Sequence, residues 1–125
     1  MRLLLICLAG AAGTGTRYLI GVAAARWLGP EFPYGTLVVN VLGSFAIGLV
    51  QQSVTPEGLR LILTVGLLGG FTTYSAFSYE TLKLMESGVW LVAALNVVAT
   101  TALCLVGCGV GLELGRALLV GRAGG

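Results

Sequence analysis

Apolar residues run along this chain in four long stretches, separated by short turns rich in glycine, proline and polar residues. The first covers residues 3–27, interrupted by Arg17, and closes on Arg26-Trp27 before the turn Gly29-Pro30-Glu31-Phe32-Pro33. The second covers 34–51 and stops at Ser53-Val54-Thr55-Pro56-Glu57-Gly58. The third covers 59–85 and stops at Glu86-Ser87-Gly88, and the fourth covers 89–115. A helix crosses a hydrocarbon core with about 20 mostly apolar residues, so the pattern predicts an all-α membrane protein of four transmembrane helices in one domain, 1–125. Arg26-Trp27 suits an interfacial anchor. Apolar character continues past any cleavage site after Met1-Arg2-Leu3, so the N-terminus reads as a retained helix rather than a leader. Residues from Arg116 onward read as a polar, frayed tail.

Polar and small residues inside the stretches fall on single helical faces. The first helix carries Gly10, Thr14, Arg17 and Gly21; the second Thr36, Asn40, Ser44, Gly48 and Gln51; the fourth Asn96, Thr100, Cys104 and Cys108. Arg17 is the one cation well inside a span, and an intramembrane Arg costs at least about 2.5 kcal/mol on insertion scales. It therefore either snorkels or pairs with a Glu of another helix, or stands in an aqueous vestibule where it attracts anions. Asn40 serves either as a hydrogen bond between helices, worth about 0.6 kcal/mol on average, or as a ligand.

The third stretch differs from the others. No charge occurs between Leu61 and Tyr79, yet its centre is Gly69-Gly70-Phe71-Thr72-Thr73-Tyr74-Ser75-Ala76-Phe77-Ser78. Each glycine costs about 1 kcal/mol against alanine in a helix interior, and threonine hydroxyls compete for backbone hydrogen bonds. A break in the third helix is expected here. At membrane depth it frees carbonyls that protein, water or an ion must take up.

Composition narrows the chemistry. The chain is 57% hydrophobic with a mean hydropathy of +0.98, only 10% of residues are charged, and it has neither His nor Asp. No imidazole base, His metal site or Ser-His-Asp arrangement can be built, so an enzyme is not expected. A formal charge of +2 is too small and scattered for nucleic acid. Cys7, Cys104 and Cys108 lie in apolar runs without CxxC spacing and read as small lipid- or helix-facing residues. With four spans both termini share a side, which carries Arg2, Arg60, Arg116 and Arg122 against Arg26 and Lys83 opposite. So weak a bias permits insertion in both directions.

Three strings carry a family likeness. GGFTTYSAFSYE at 69–80 resembles the third-helix signature of the Fluc (CrcB) family of small fluoride channels, usually GG-x-TTFSTFS-x-E. GTLVVNVLGSFAIG at 35–48 resembles its second-helix signature, and GAAGTGTRY at 10–18 extends the likeness to the first helix. The resemblance implies an antiparallel dual-topology dimer with two pores, made of two copies or of two homologous subunits, in the inner membrane of a bacterial or archaeal cell. It implies a structural Na⁺, not transported, on the backbone carbonyls of Gly69 and Thr72, where the two broken helices meet. A fluoride pathway is implied along Phe77, Tyr74, Asn40, Ser75, Asn96 and Thr100, with Arg17 in the vestibule. Positive ring edges of the aromatics would replace part of the ion's hydration, and weak successive sites suit conduction. Passive export that lowers cytoplasmic fluoride would follow. Three positions depart from the usual pattern: Tyr74 replaces Phe, Ala76 replaces Thr, and Asn96 stands where Tyr is common.

Two other readings compete. A proton-coupled exporter of the small multidrug resistance type needs a buried carboxylate in the first helix, where this chain has Arg17 instead. A purely structural glycine-packed protein does not account for polar faces on three helices.

Overall fold

The computed structural model describes residues 1–125 and contains helices and turns only. The first helix spans Arg2–Leu28, the second Tyr34–Ser53, and the fourth Trp90–Ala123. Between them a third span covers Glu57–Glu86, and all four are long and apolar enough to cross a membrane. The tail expected to fray beyond Arg116 is helical to Ala123, where Arg122 Nη1 donates to the Ser53 carbonyl at the end of the second helix. Only 16 of 125 residues are buried, while Leu, Val, Tyr and Trp side chains cover the outside. In water such a surface would aggregate; in lipid it is the ordinary exterior.

Packing pairs the first helix with the third span and the second with the fourth, each pair running parallel. Both crossings depend on missing side chains. A Cβ on Gly70 would strike the backbone of Gly10, whose Cα would lie 3.0 Å away, and a Cβ on Gly111 would strike the Phe45 carbonyl. Lipid tails are as apolar as leucine, so helices associate in a bilayer through such close backbone approach rather than by expelling water. Val39 on the second helix and Ala93 on the fourth are almost fully enclosed.

The third span holds the irregular backbone. Glu57–Leu61 is α-helical, Ile62–Leu68 widens into π-helical turns, and Gly69–Phe71 tightens again. Thr72 (φ −85°, ψ 159°) and Thr73 (φ −152°, ψ 117°) are extended, and helix resumes over Tyr74–Glu86. The sequence suggested a helix cut in two at this point. The geometry is milder: the span remains one joined rod, bent by 21°, because the two extended residues are bridged by side chains rather than swung apart.

Candidate functional site

Interrupting a helix at membrane depth creates an accounting problem for every backbone group near the interruption. Thr73 N–H would ordinarily close a turn on the Gly69 carbonyl; it donates instead to Asn40 Oδ1 at 2.8 Å. Ala76 N–H would close a turn on the Thr72 carbonyl; it donates instead to Thr73 Oγ1 at 3.2 Å, so Thr73 caps the resumed helix. Both diversions deprive a carbonyl of its helical donor, and those two carbonyls belong to Gly69 and Thr72. The Gly70 carbonyl is treated differently. Arg17 Nε donates to it at 3.1 Å and Thr14 Oγ1 at 3.4 Å.

Asn40 completes the arrangement from the second helix. Its Nδ2 donates to the Thr73 carbonyl at 2.9 Å, so one amide grips both polar groups of one extended residue. Gly43, one turn on, lets the Thr72 methyl lie directly against the second helix. Thr72 Oγ1 turns back to the Leu68 carbonyl at 3.0 Å.

Alongside this irregular stretch lies a cavity of about 440 Å³ between the second, third and fourth spans. Asn40, Gly69, Thr72, Tyr74, Phe77 and Thr100 all line it, with Ser44, Thr64, Thr101 and Cys104. Six of the residues singled out from sequence thus meet around one space. The Tyr74 and Phe77 rings lie 5.5 Å apart, tilted by 50°. Phe77 is buried, whereas Tyr74 is 80% exposed beside the extended stretch.

Three expected residues sit elsewhere. Ser75 is exposed and reaches only Thr73 Oγ1, at 3.4 Å. Arg17 is half-buried against Gly70; its Nε is engaged and no carboxylate pairs with it, which leaves its terminal nitrogens free. Asn96 is 1% exposed and is not among the residues that line this cavity, although Thr100, one turn on, is. Its Nδ2 donates to Thr81 Oγ1 at 2.9 Å, and its Oδ1 accepts from Thr100 Oγ1 at 3.3 Å. Both ends of its amide are thus engaged by neighbouring hydroxyls.

Sequence reasoning passed over Thr73, Thr81 and Cys104 as site residues. Thr73 was legible only as half of a Thr-Thr pair, and Thr81 follows Phe77 by one helical turn, a signal that could have been used. Glu80, the last residue of the third-helix string, accepts from Thr36 Oγ1 at 2.9 Å through Oε1, while its buried Oε2 has no protein partner. It lines a second cavity of about 380 Å³ with the 30–35 turn.

Four apolar spans, three of which enclose a cavity that carries polar side chains beside the irregular backbone of the third, define a multi-pass membrane protein of the transport or channel class. The family described as "CrcB-like protein, Camphor Resistance (CrcB)" matches residues 4–112, and the chain belongs to it. A relative from Magnetococcus marinus is 46% identical over 121 residues, covering 93% of this chain and 98% of its own length. One from Geobacter sulfurreducens is 48% identical with the same coverage, and one from Anaeromyxobacter sp. is 52% identical over 84% of this chain and 87% of its own. Each of these relatives bears the name "Fluoride-specific ion channel FluC".

Proposed function

We infer that this protein is a fluoride channel, not an enzyme, and that it exports cytoplasmic fluoride passively across the inner membrane. The observation that carries the reading is the cavity in which Asn40, Tyr74, Phe77 and Thr100 meet at membrane depth. A small anion entering it loses water and needs positive partial charge in return. Ring edges at Phe77 and Tyr74 supply some, as does the Asn40 N–H not engaged by Thr73. None of these is a full charge, so fluoride is held weakly enough to leave. Arg17 raises the local anion concentration through its free terminal nitrogens. No buried carboxylate occupies the first helix, as a proton-coupled exporter would require.

The working unit is an inverted pair, of identical or homologous subunits. Gly69 and Tyr74 are exposed on one side of the third span, where a second copy would cover them. The Gly69 and Thr72 carbonyls suit a structural Na⁺: both have had their helical donors diverted, and uncharged oxygens at a helix interruption match a hard monovalent cation. Each protomer would contribute two. The ion would neutralise partial negative charge at the crossing and tie the copies together. Fluoride efflux from liposomes, run against chloride and a cationic dye, tests the reading. Fluoride-selective efflux is expected; dye transport coupled to protons, or no flux of any kind, would overturn it.

A further inference from the structure

The segment after the extended residues, Tyr74–Glu86, presents a positioning problem. Thr72 and Thr73 lack helical dihedrals, so the first half of the span does not set the rotation of the second by continuous hydrogen bonding. Within the segment only Phe77 and Thr81 are buried. A single side-chain hydrogen bond joins it to the fourth helix, Asn96 Nδ2 to Thr81 Oγ1 at 2.9 Å. Thr81 Oγ1 in turn donates to the Phe77 carbonyl at 2.7 Å. Thr100 Oγ1, on the cavity wall, donates to Asn96 Oδ1 at 3.3 Å. Donors thus run in one direction, Thr100 to Asn96 to Thr81 to the Phe77 backbone, and such aligned chains strengthen their members.

The geometry points to Thr81 and Asn96 as positioning residues that hold the Phe77 ring in register with Thr100 across the cavity, without touching the ion themselves. This role rests on the reading that Phe77 lies on the fluoride path. The Thr81 hydroxyl is suited to it, because the same oxygen accepts from one helix and donates to another residue's carbonyl, which valine of equal shape cannot do. Asn96 is suited as the anchor because it is fully enclosed and both ends of its amide are used.

The test uses full-length protein in liposomes, with initial fluoride efflux and the yield of assembled protein on gel filtration as readouts. Thr81→Val should slow efflux about five- to tenfold, the factor set by one neutral hydrogen bond, with yield unchanged. Thr81→Ser should restore most of the rate, and Asn96→Leu, which breaks the same link from the other helix, should match Thr81→Val and serves in its place if that variant assembles poorly. The decisive arm is Thr81→Val in a Phe77→Ile background, where no further slowing is expected because the ring to be positioned is gone. Equal slowing in both backgrounds would overturn the positioning role in favour of a general structural one, as would wild-type efflux in Thr81→Val beside a slow Phe77→Ile. Wild-type efflux in Phe77→Ile alone would overturn the pathway reading instead.

Discussion

Asn40 and Thr73, 33 residues apart, exchange two hydrogen bonds: Thr73 N–H donates to Asn40 Oδ1 at 2.8 Å, and Asn40 Nδ2 donates to the Thr73 carbonyl at 2.9 Å. An amide side chain mimics the edge of a neighbouring strand and satisfies an extended residue at membrane depth. The helix leaves its ladder at Thr72 and Thr73 without orphaning the Thr73 groups, and the span bends by only 21°.

Asn40→Asp tests that relationship. The carboxylate still accepts from Thr73 N–H, but it cannot donate to the Thr73 carbonyl, and it places an acceptor at the cavity wall. Leaving one buried polar group unpaired costs about 1–3 kcal/mol. A lower unfolding temperature in detergent is expected together with loss of fluoride efflux. Unchanged stability would show that the Thr73 carbonyl is satisfied in another way.

Phe77→Ile retains apolar bulk and removes the ring. Ring-specific contacts contribute about 0.5–1.5 kcal/mol beyond area burial, so fluoride efflux should fall by roughly an order of magnitude, since about 1.4 kcal/mol is tenfold. Tyr74→Phe, measured beside it at matched protein density, should retain or raise the rate.

Gly69 and Gly70 should separate on substitution by alanine. A Cβ at Gly69 meets nothing closer in its own protomer than the Thr64 carbonyl at 3.6 Å, an ordinary contact, whereas one at Gly70 strikes Gly10 backbone. Gly70→Ala should therefore impair folding of the protomer. Gly69→Ala should leave the protomer folded and weaken pairing of copies, read by cross-linking or gel filtration. Wild-type efflux that persists unchanged after exhaustive Na⁺ removal would count against the proposed cation site.

Cys104 reports on whether the cavity holds water. Its thiol lines the cavity while Cys7 faces outward from the first helix. A small hydrophilic thiol reagent should slow efflux in the wild type and leave Cys104→Ser unaffected. Equal sensitivity of the two would place the reactive thiol elsewhere.

Four crossings, their turns and the irregular centre of the third were legible in the sequence because each depends on local chemistry: uninterrupted apolar length, Gly-Pro punctuation, and Gly-Gly beside Thr-Thr. Asn40 and Thr100 stood out as polar residues at helical spacing among leucine and valine, whereas Tyr74 and Phe77 were singled out through the likeness of the third-helix string; all four line one cavity. What those side chains do with their hydrogen bonds was not legible. Asn40 brackets Thr73 only because the second helix passes the third span at Gly43, and Arg17 reaches the Gly70 carbonyl only because Gly10 and Gly70 let two backbones nearly touch. Asn96 shares a helical face with Thr100 and Cys104, but spacing did not reveal that its amide bonds Thr81 and Thr100. Spacing along a helix assigns a face; the reach of a side chain and the partner waiting there depend on how closely the neighbouring helix approaches, and that is decided in three dimensions.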